Sequence, residues 1–203
     1  LYTTRFAKAG ASTMGVDFSA RSIRHARESA AVAGLDIEHV QADYLEFETD
    51  RRFDLITMIM CDVCVLSPAQ RAALLAKICA WLRPGGRLLF DAYTLRAFEA
   101  RAEASTWGWR LMDGFWAPGP YFGFHSTFRY EDEQVVLDKY TIVEEARTRV
   151  VHNWLQYFDP DDLQGELEAA GLRGVERLGD VAGSGYDAQA QEFAVIAGPD
   201  NPA

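Results

Sequence analysis

Three aspartates follow short apolar runs in the first third of the chain, where a carboxylate can bind a nucleotide. Asp17 follows MGV, Asp43 follows IEHVQA and Asp62 follows FDLITMIMC. If the runs are strands of an open α/β sheet, ligands bind beyond their carboxyl ends, and a carboxylate there accepts hydrogen bonds from ribose hydroxyls. The alternative is that each aspartate forms a turn or caps a helix. Three of them at successive strand ends favour a ligand site.

Neighbouring aromatic residues extend this interpretation from ribose to base. Asp43 could accept a hydrogen bond from an adenine amino group, and the planar side chains of Phe18 and Tyr44 could sandwich the ring. Asp62 could orient an acceptor amine or hydroxyl, or take its proton. Its alternative role is to cap a loop.

The cysteines and histidines give weaker signals. Cys61 and Cys64 have the spacing of a redox or metal pair, but the sequence has no second pair to complete a zinc site, so we expect packing cysteines and no metal. His125 and His152 fall in an aromatic stretch, where either could be a general base or simply a packed or surface histidine.

Strand-like and helical patterns alternate through most of the chain. An alternation of this kind predicts a parallel sheet with right-handed crossovers, flanked by helices. Residues 95–157 differ, because they are rich in aromatic and β-branched residues without helical spacing, and they predict an antiparallel insert. We therefore expect three parts: an α/β core over 1–94, the insert over 95–157, and the end of the core over 158–203.

The insert holds most of the aromatic residues that could line a substrate pocket. Pockets are mostly apolar, and aromatic faces suit a cationic acceptor. Packing against a helix is the alternative for most of them. The candidates are Trp107, Trp109, Trp116, Tyr130, Trp154 and Tyr157.

Composition excludes several classes of protein. The 203 residues carry a net charge of −10, which argues against nucleic acid or an anionic membrane as partner. The longest apolar runs are too short to span a bilayer. Three cysteines, an odd number, favour a reducing, cytoplasmic setting over a disulfide framework. The oligomeric state is left open.

In order and spacing, four segments resemble motifs of the class I S-adenosylmethionine-dependent methyltransferases: GVDFSARSIRHAR, VQADYLEF, FDLITMIMCDVCVLSP and LRPGGRLLFDAY. YFDPDDLQGELEAAGL and EFAVIAG resemble the last helix and the reversed final strand of that fold. The resemblance implies a Rossmann-like, doubly wound seven-stranded sheet. It also implies S-adenosylmethionine as cofactor, with Asp17 on the ribose, Phe18 on adenine, Asp43 and Tyr44 at the adenine edge, and the backbone of Met60 and Cys61 at the methionine moiety.

The chain departs from the family at its beginning. The first strand and its glycine-rich loop would precede Leu1, so we expect the chain as printed to bind cofactor poorly unless the whole protein supplies them. The expected activity is methyl transfer to nitrogen or oxygen of a small molecule. One alternative is a non-catalytic binding or regulatory module. A second is an NAD(P)-binding oxidoreductase, but the Pro-Gly-Gly turn that begins at Pro84 argues against it.

Overall fold

The computed structural model describes residues 2–199, leaving aside the side chains of residues 174 and 175. The helices of this range are α1 (Tyr2–Lys8), α2 (Ala20–Val32), α3 (Pro68–Trp81), α4 (Leu95–Glu99) and α5 (Pro160–Ala169). The strands are β1 (Thr13–Asp17), β2 (Ile37–Gln41), β3 (Phe53–Met58), β4 (Leu82–Tyr93), β5 (Ala104–Trp109), β6 (Phe122–Tyr130), β7 (Val135–Val143), β8 (Thr148–Gln156), β9 (Leu172–Leu178) and β10 (Glu192–Pro199). A short 3₁₀ helix, Asp62–Val65, lies between β3 and α3. Leu1, in the first predicted part, and residues 200–203, in the last, lie outside the described residues.

The chain divides into two compact units, residues 1–50 and residues 51–203. In the first unit β1 and β2 run parallel, with Asp17 opposite Gln41, and α2 connects them. Ser19 begins α2, because its hydroxyl accepts the N–H of Ser22 and so satisfies one of the free donors of the first turn. The carboxyl ends of both strands therefore lie at one edge of this sheet.

The second unit contains a mixed four-stranded sheet in the order β3-β4-β10-β9. β3 and β4 are parallel, whereas β10 runs antiparallel to both β4 and β9. Apolar side chains from α3, β4, α5 and β10 form its buried core, and they include Leu74, Leu75, Ile78, Leu88, Phe90, Leu163, Leu167, Phe193 and Val195.

The seven-stranded sheet predicted from the sequence is not what the structure describes. Outside the insert there are six strands among residues 2–199, and they form one sheet of two strands and one of four. The physical reason lies in the hydrogen bonding: within the described residues β1 pairs only with β2, and β3 pairs only with β4. The α/β character of both sheets agrees with the sequence-based expectation.

The insert is antiparallel, as its sequence pattern predicts. β5, β6, β7 and β8 form a separate four-stranded sheet in chain order. Two small apolar clusters lie against one side of it. One contains Phe98, Val136 and Tyr157, and the other contains Tyr121 and Ile142. The first cluster thus packs the sheet against α4 and the residue after β8, and the second packs it against the loop between β5 and β6.

Helix α3 begins at a capping box, in which Ser67 and Gln70 each accept the backbone N–H of the other, and Pro68 occupies the first helical turn. With 14 residues it is the longest helix described. Between residues 2 and 199 no helix combines the length and the apolar character that crossing a bilayer requires.

A buried arginine ties α3 to α5. The Arg71 guanidinium, whose side chain is 2% exposed, donates two hydrogen bonds of 2.7 Å to the Glu166 carboxylate and one to the carbonyl of Leu66. It also lies 4.8 Å from the centre of the Phe158 ring. A bidentate pair of this kind fixes the position of both helices, because neither partner can move without leaving a buried charge unpaired.

Replacing Glu166 by alanine is therefore expected to lower the free energy of unfolding by about 2 kcal/mol, less than for a fully buried pair because water reaches the Glu166 side. Glu168→Ala is the matched control, since Glu168 is exposed on the same helix. Urea unfolding measures both. An equal effect of the two substitutions would show that the Arg71 pair contributes nothing specific.

Candidate active site

The predicted adenosine residues lie at one edge of the sheet formed by β1 and β2. Asp17 ends β1, and one of its carboxylate oxygens, Oδ1, accepts the backbone N–H of Ser19 at 2.7 Å. Its other oxygen has no hydrogen-bond partner among the described residues. Phe18 is 75% exposed. Asp43 and Tyr44 follow β2 at the same edge, where Asp43 is exposed and Tyr44 is half-buried. Asp17 thus forms a turn with one oxygen and keeps the other open.

The loop after β3 has an unusual backbone that one carboxylate holds in place. Met60 and Cys61 both have positive φ, 83° and 56°, in the left-handed region that side chains other than glycine rarely adopt. The Asp91 carboxylate on β4, itself buried, accepts the N–H of Cys61 at 2.7 Å and the N–H of Met60 at 3.2 Å. These two bonds compensate the strain and fix the loop at the carboxyl end of β3.

The two thiols of this loop are packed inside the protein. Cys61 and Cys64 are buried, and the Sγ of Cys64 accepts the N–H of Tyr93 at 3.3 Å. A hydrogen bond with Cys64, together with burial, raises the pKa of the Cys61 thiol far above its usual value. A protonated, buried thiol is a poor nucleophile and a poor metal ligand. Within residues 2–199 no three His, Cys, Asp or Glu side chains are grouped as metal ligands.

Asp62, the predicted substrate-facing acid, opens the short 3₁₀ helix that follows Cys61. It is half-buried and lies in the first turn of that helix. Its position is compatible with either role considered from the sequence, the cap of a loop or a group that faces an acceptor.

The two faces of the insert sheet differ in character. Residues opposite one another in an antiparallel pair share a face, so the pairs His125–Tyr140 and Thr127–Asp138 define one face, here called the inner face. The pair Trp107–Phe124 and its neighbours define the other, the outer face. Strand β8 of this sheet lies close to the 3₁₀ helix, within the second unit.

On the inner face, buried Asp138 collects three partners, and this group is here called the Asp138 cluster. Its carboxylate accepts bonds from Arg101 Nη2 at 2.6 and 2.7 Å and from Thr127 Oγ1 at 2.7 Å, and it lies 2.9 Å from Nε2 of His125. Burial alone would raise the pKa of Asp138, but the hydrogen bonds from Thr127, His125 and Arg101 outweigh it and hold that pKa below its usual value. The cluster therefore carries a carboxylate paired with a guanidinium.

His125 is held in this cluster with one ring nitrogen to spare. Its ring stacks on Tyr140 with 4.4 Å between the centres and 7° between the planes. Its side chain is 27% exposed, and Nδ1 has no hydrogen-bond partner among the described residues. An imidazole oriented by a carboxylate at one nitrogen and open at the other can accept a proton.

Two tyrosines connect this cluster to the loop after β3. Tyr93 ends β4 and packs against Tyr157 with 5.6 Å between ring centres. Burial raises the pKa of Tyr93 to about 12, helped by the nearby Cys61 thiol and the Glu192 carboxyl. Burial also raises the pKa of Tyr157, while the charge of Arg101 lowers it and the charge of Asp138 raises it. Both phenols stay protonated and can donate hydrogen bonds between the loop and the cluster.

The six aromatic residues predicted to line a pocket lie in three different places. Trp107, Trp109, Tyr130 and Trp154 are all on the exposed outer face. Trp116 lies in the loop before β6 and packs against Tyr140 of the inner face, 4.8 Å between ring centres. Tyr157 is buried beside Tyr93 and Phe98. Only Trp116 and Tyr157 are therefore near the polar groups of the inner face.

Sequence reasoning missed the acids that organise this site. Asp91 stands in the apolar run RLLFDAY and Asp138 in VVLDKY. A charged residue within an otherwise buried strand is costly unless it is paired, and that is the signal that could have found both.

Comparison with known proteins agrees with the fold. Residues 1–86 match a family model described as a methyltransferase domain. An S-adenosylmethionine-dependent methyltransferase from Clostridium acetobutylicum has 13% identity and a TM-score of 0.77, over 98% of this chain and 79% of that one. The CcbJ methyltransferase from Streptomyces caelestis has 19% identity and a TM-score of 0.74, over 98% of this chain and 78% of that one. The glycopeptide N-methyltransferase MtfA complexed with S-adenosylmethionine has 20% identity and a TM-score of 0.62, over 97% of this chain and 81% of that one. No curated protein sequence matches.

Proposed function

We propose that this chain, whose fold is that of S-adenosylmethionine-dependent methyltransferases, belongs to the class I family of these enzymes and methylates a nitrogen or oxygen atom of a small molecule. The observation that carries the proposal is in the second unit, where the loop fixed by Asp91 and the Asp138 cluster meet around Tyr93 and Tyr157. A few polar groups beside apolar rings are the usual composition of a small-molecule site.

The first unit fits the adenosine part of S-adenosylmethionine. The open oxygen of Asp17 is an acceptor for a ribose hydroxyl, and the exposed ring of Phe18 is a surface on which adenine can stack. Asp43 and Tyr44 follow the neighbouring strand at the same edge, where they would contact the base. In this proposal the four residues bind and orient the nucleoside.

The loop after β3 fits the amino-acid part of the cofactor through its carbonyl groups. Both N–H groups of Met60 and Cys61 are already bonded to Asp91, and the carbonyl of Cys61 accepts the N–H of Cys64. The carbonyl of Met60 is then the group that could accept a bond from the ammonium of the methionine moiety. This refines the sequence-based prediction, which assigned the backbone of both residues to that role.

When bound, S-adenosylmethionine supplies an activated methyl group on a sulfonium. The task of the protein is to orient the acceptor, exclude water and remove one proton. In our proposal His125 holds that proton on Nδ1, with Asp138 on its other nitrogen stabilising the imidazolium. Trp116, Tyr140 and Tyr157 form the apolar wall of the acceptor site, and Asp62 faces the acceptor from the loop.

Nitrogen is the favoured acceptor atom. An ammonium of ordinary pKa, roughly 10, gives its proton to imidazole far more readily than an alcohol does. The similarity to MtfA, a glycopeptide N-methyltransferase, supports the same choice. The net charge of −10 and the apolar wall point to a neutral or cationic small molecule in the cytoplasm rather than to nucleic acid.

A panel of small amines, amino sugars and alcohols, offered with S-adenosylmethionine, tests the proposal through the S-adenosylhomocysteine formed. We expect turnover with at least one amine. Binding of S-adenosylhomocysteine without any turnover would favour the non-catalytic module instead. Failure to bind it by the protein, with any segment that precedes Leu1 included, would overturn the cofactor assignment.

The Asp17→Asn variant is expected to bind S-adenosylhomocysteine at least ~10-fold more weakly, since a charged acceptor to the ribose is lost. The amide oxygen can still accept the Ser19 N–H, so the turn is preserved. Asp36→Asn is the matched control, because Asp36 is exposed just before β2, at the opposite edge of the same sheet. Isothermal titration of both variants gives the ratio, and equal affinities would remove Asp17 from the site.

A further inference from the structure

The outer face of the insert sheet exposes six large aromatic side chains. Trp107 is 70% exposed and Trp109 is 64% exposed, and Phe124, Phe128, Tyr130 and Trp154 each expose about two-fifths of their surface. The inner face combines buried apolar residues such as Val136 and Ile142 with Asp138 and the partly buried Arg129. A soluble antiparallel sheet normally exposes a mainly polar face, so large aromatic side chains exposed on the outer face are unusual.

The outer face also lacks negative charge. Following the strand pairings, none of its residues on β5, β6, β7 and β8 is Asp or Glu, and Lys139 is its one charged residue besides the titratable His152. The whole chain, however, has 30 acidic and 20 basic residues. This face is therefore a place where two copies of an acidic protein can meet without the repulsion that their other surfaces impose.

The exposed aromatic surface is as large as the largest apolar patch of an ordinary monomer. At roughly 200 Å² for a fully exposed aromatic side chain, these six residues offer on the order of 600 Å². The largest apolar patch of an ordinary monomer is about 300–600 Å², while a stable dimer buries about 800 Å² on each partner. Val143 and Val150, also exposed on this face, bring the area closer to the second value.

We propose that the outer face binds the outer face of a second copy of this chain, forming a two-fold symmetric dimer. A flat four-stranded face can match itself across a two-fold axis, which makes an isologous interface. A nucleic acid or an anionic membrane would need several basic residues on the face, and Lys139 alone does not provide them. In such a dimer the inner face of each copy, with its Asp138 cluster, stays outside the interface. This inference is independent of the proposed function.

Sedimentation equilibrium or light scattering on the intact protein is the test. We expect a mass of twice 22.7 kDa at about 50 µM, decreasing toward the monomer on dilution. The variants Trp107→Glu and Trp154→Glu should each weaken the dimer at least ~100-fold, because every substitution occurs twice in a two-fold interface and buries a charge. Their circular dichroism and melting temperature show whether the fold is kept.

Phe115→Glu is the matched control. Phe115 is as exposed as Trp107, at 70%, but it lies in the loop before β6 and not on the outer face. Its variant should remain dimeric. A wild-type protein that is monomeric at 50 µM would overturn the proposal, whether or not it binds lipid vesicles. A dimer that survives both face substitutions, or that Phe115→Glu dissociates equally well, would also overturn it.

Discussion

Replacing Asp138 by alanine is expected to lower the free energy of unfolding by about 3–5 kcal/mol, the range for breaking a buried ion pair. The loss is large because three groups lose their partner at once. Arg101 is left as a partly buried charge, the hydroxyl of Thr127 is left without its acceptor, and His125 is no longer oriented. Guanidinium unfolding at pH 7 measures the stability. If the proposed function is right, methyl transfer falls as well.

Asp132→Ala is the control, since Asp132 is exposed in the turn between β6 and β7 of the same sheet. We expect its effect to stay within about 0.5 kcal/mol. Similar losses in the two variants would mean that the Asp138 cluster is not a stabilising centre.

The same carboxylate gives the stability a defined dependence on pH. The pKa of Asp138 lies below its ordinary value of 3.8, because hydrogen bonds and the Arg101 charge favour the ionised form. The stabilisation is therefore complete above that ordinary value and is lost as the pH falls through the lower pKa of the folded state. The gap between wild type and Asp138→Ala should accordingly be widest near pH 7 and narrow below pH 3.8. A constant gap over this range would contradict the assignment.

The Asp91→Asn variant is expected to release the loop after β3. The amide can accept only one of the two N–H groups of Met60 and Cys61, and its own NH₂ faces the other, so one buried donor is left unsatisfied. The cost should be about 2–3 kcal/mol, as for bonds to a charged acceptor. Methyl transfer should fall at least ~10-fold, because a misplacement of 1 Å costs up to ~100-fold in rate.

The buried thiols provide a direct readout of this release. In the wild type Cys61 and Cys64 should react slowly with a thiol reagent, and in Asp91→Asn they should react faster because the loop opens. Asp54→Asn is the control, since the ion pair of Asp54 with Arg83 is exposed and contributes little. Unchanged stability and unchanged thiol protection in Asp91→Asn would show that the loop holds its own shape.

The sequence predicted the strands and the helix between residues 13 and 41 well, because each of them depends only on nearby residues. A strand, a serine-capped helix and a second parallel strand force the residues after both strands to one edge, which is where Asp17 and Asp43 lie. Whether they bind adenosine stays a prediction. The number of strands in the sheet could not be derived in this way, because it depends on which distant strands form hydrogen bonds.

The insert was predictable in kind but not in orientation. Alternation places Trp107 and Trp109 on one face of their strand, yet it does not say which face turns outward. That choice is decided by Asp138, whose partner Arg101 lies outside the sheet and 37 positions away in the chain. Pairings over such distances leave no periodic trace in the sequence, so it could not show that four of the six aromatic candidates lie on the exposed outer face. Whether any of the six lines a substrate pocket stays a prediction.

The contrast between the faces of the insert also bears on how it folds. A slip of one residue in β7 would turn Asp138 outward, away from Arg101, and bring Leu137 or Lys139 into its place. A slipped sheet would lose the buried ion pair on one side and the aromatic contacts on the other at the same time. Misaligned forms of the insert are thus penalised twice, and the folding chain is directed to a single alignment before either face has met a ligand or a partner.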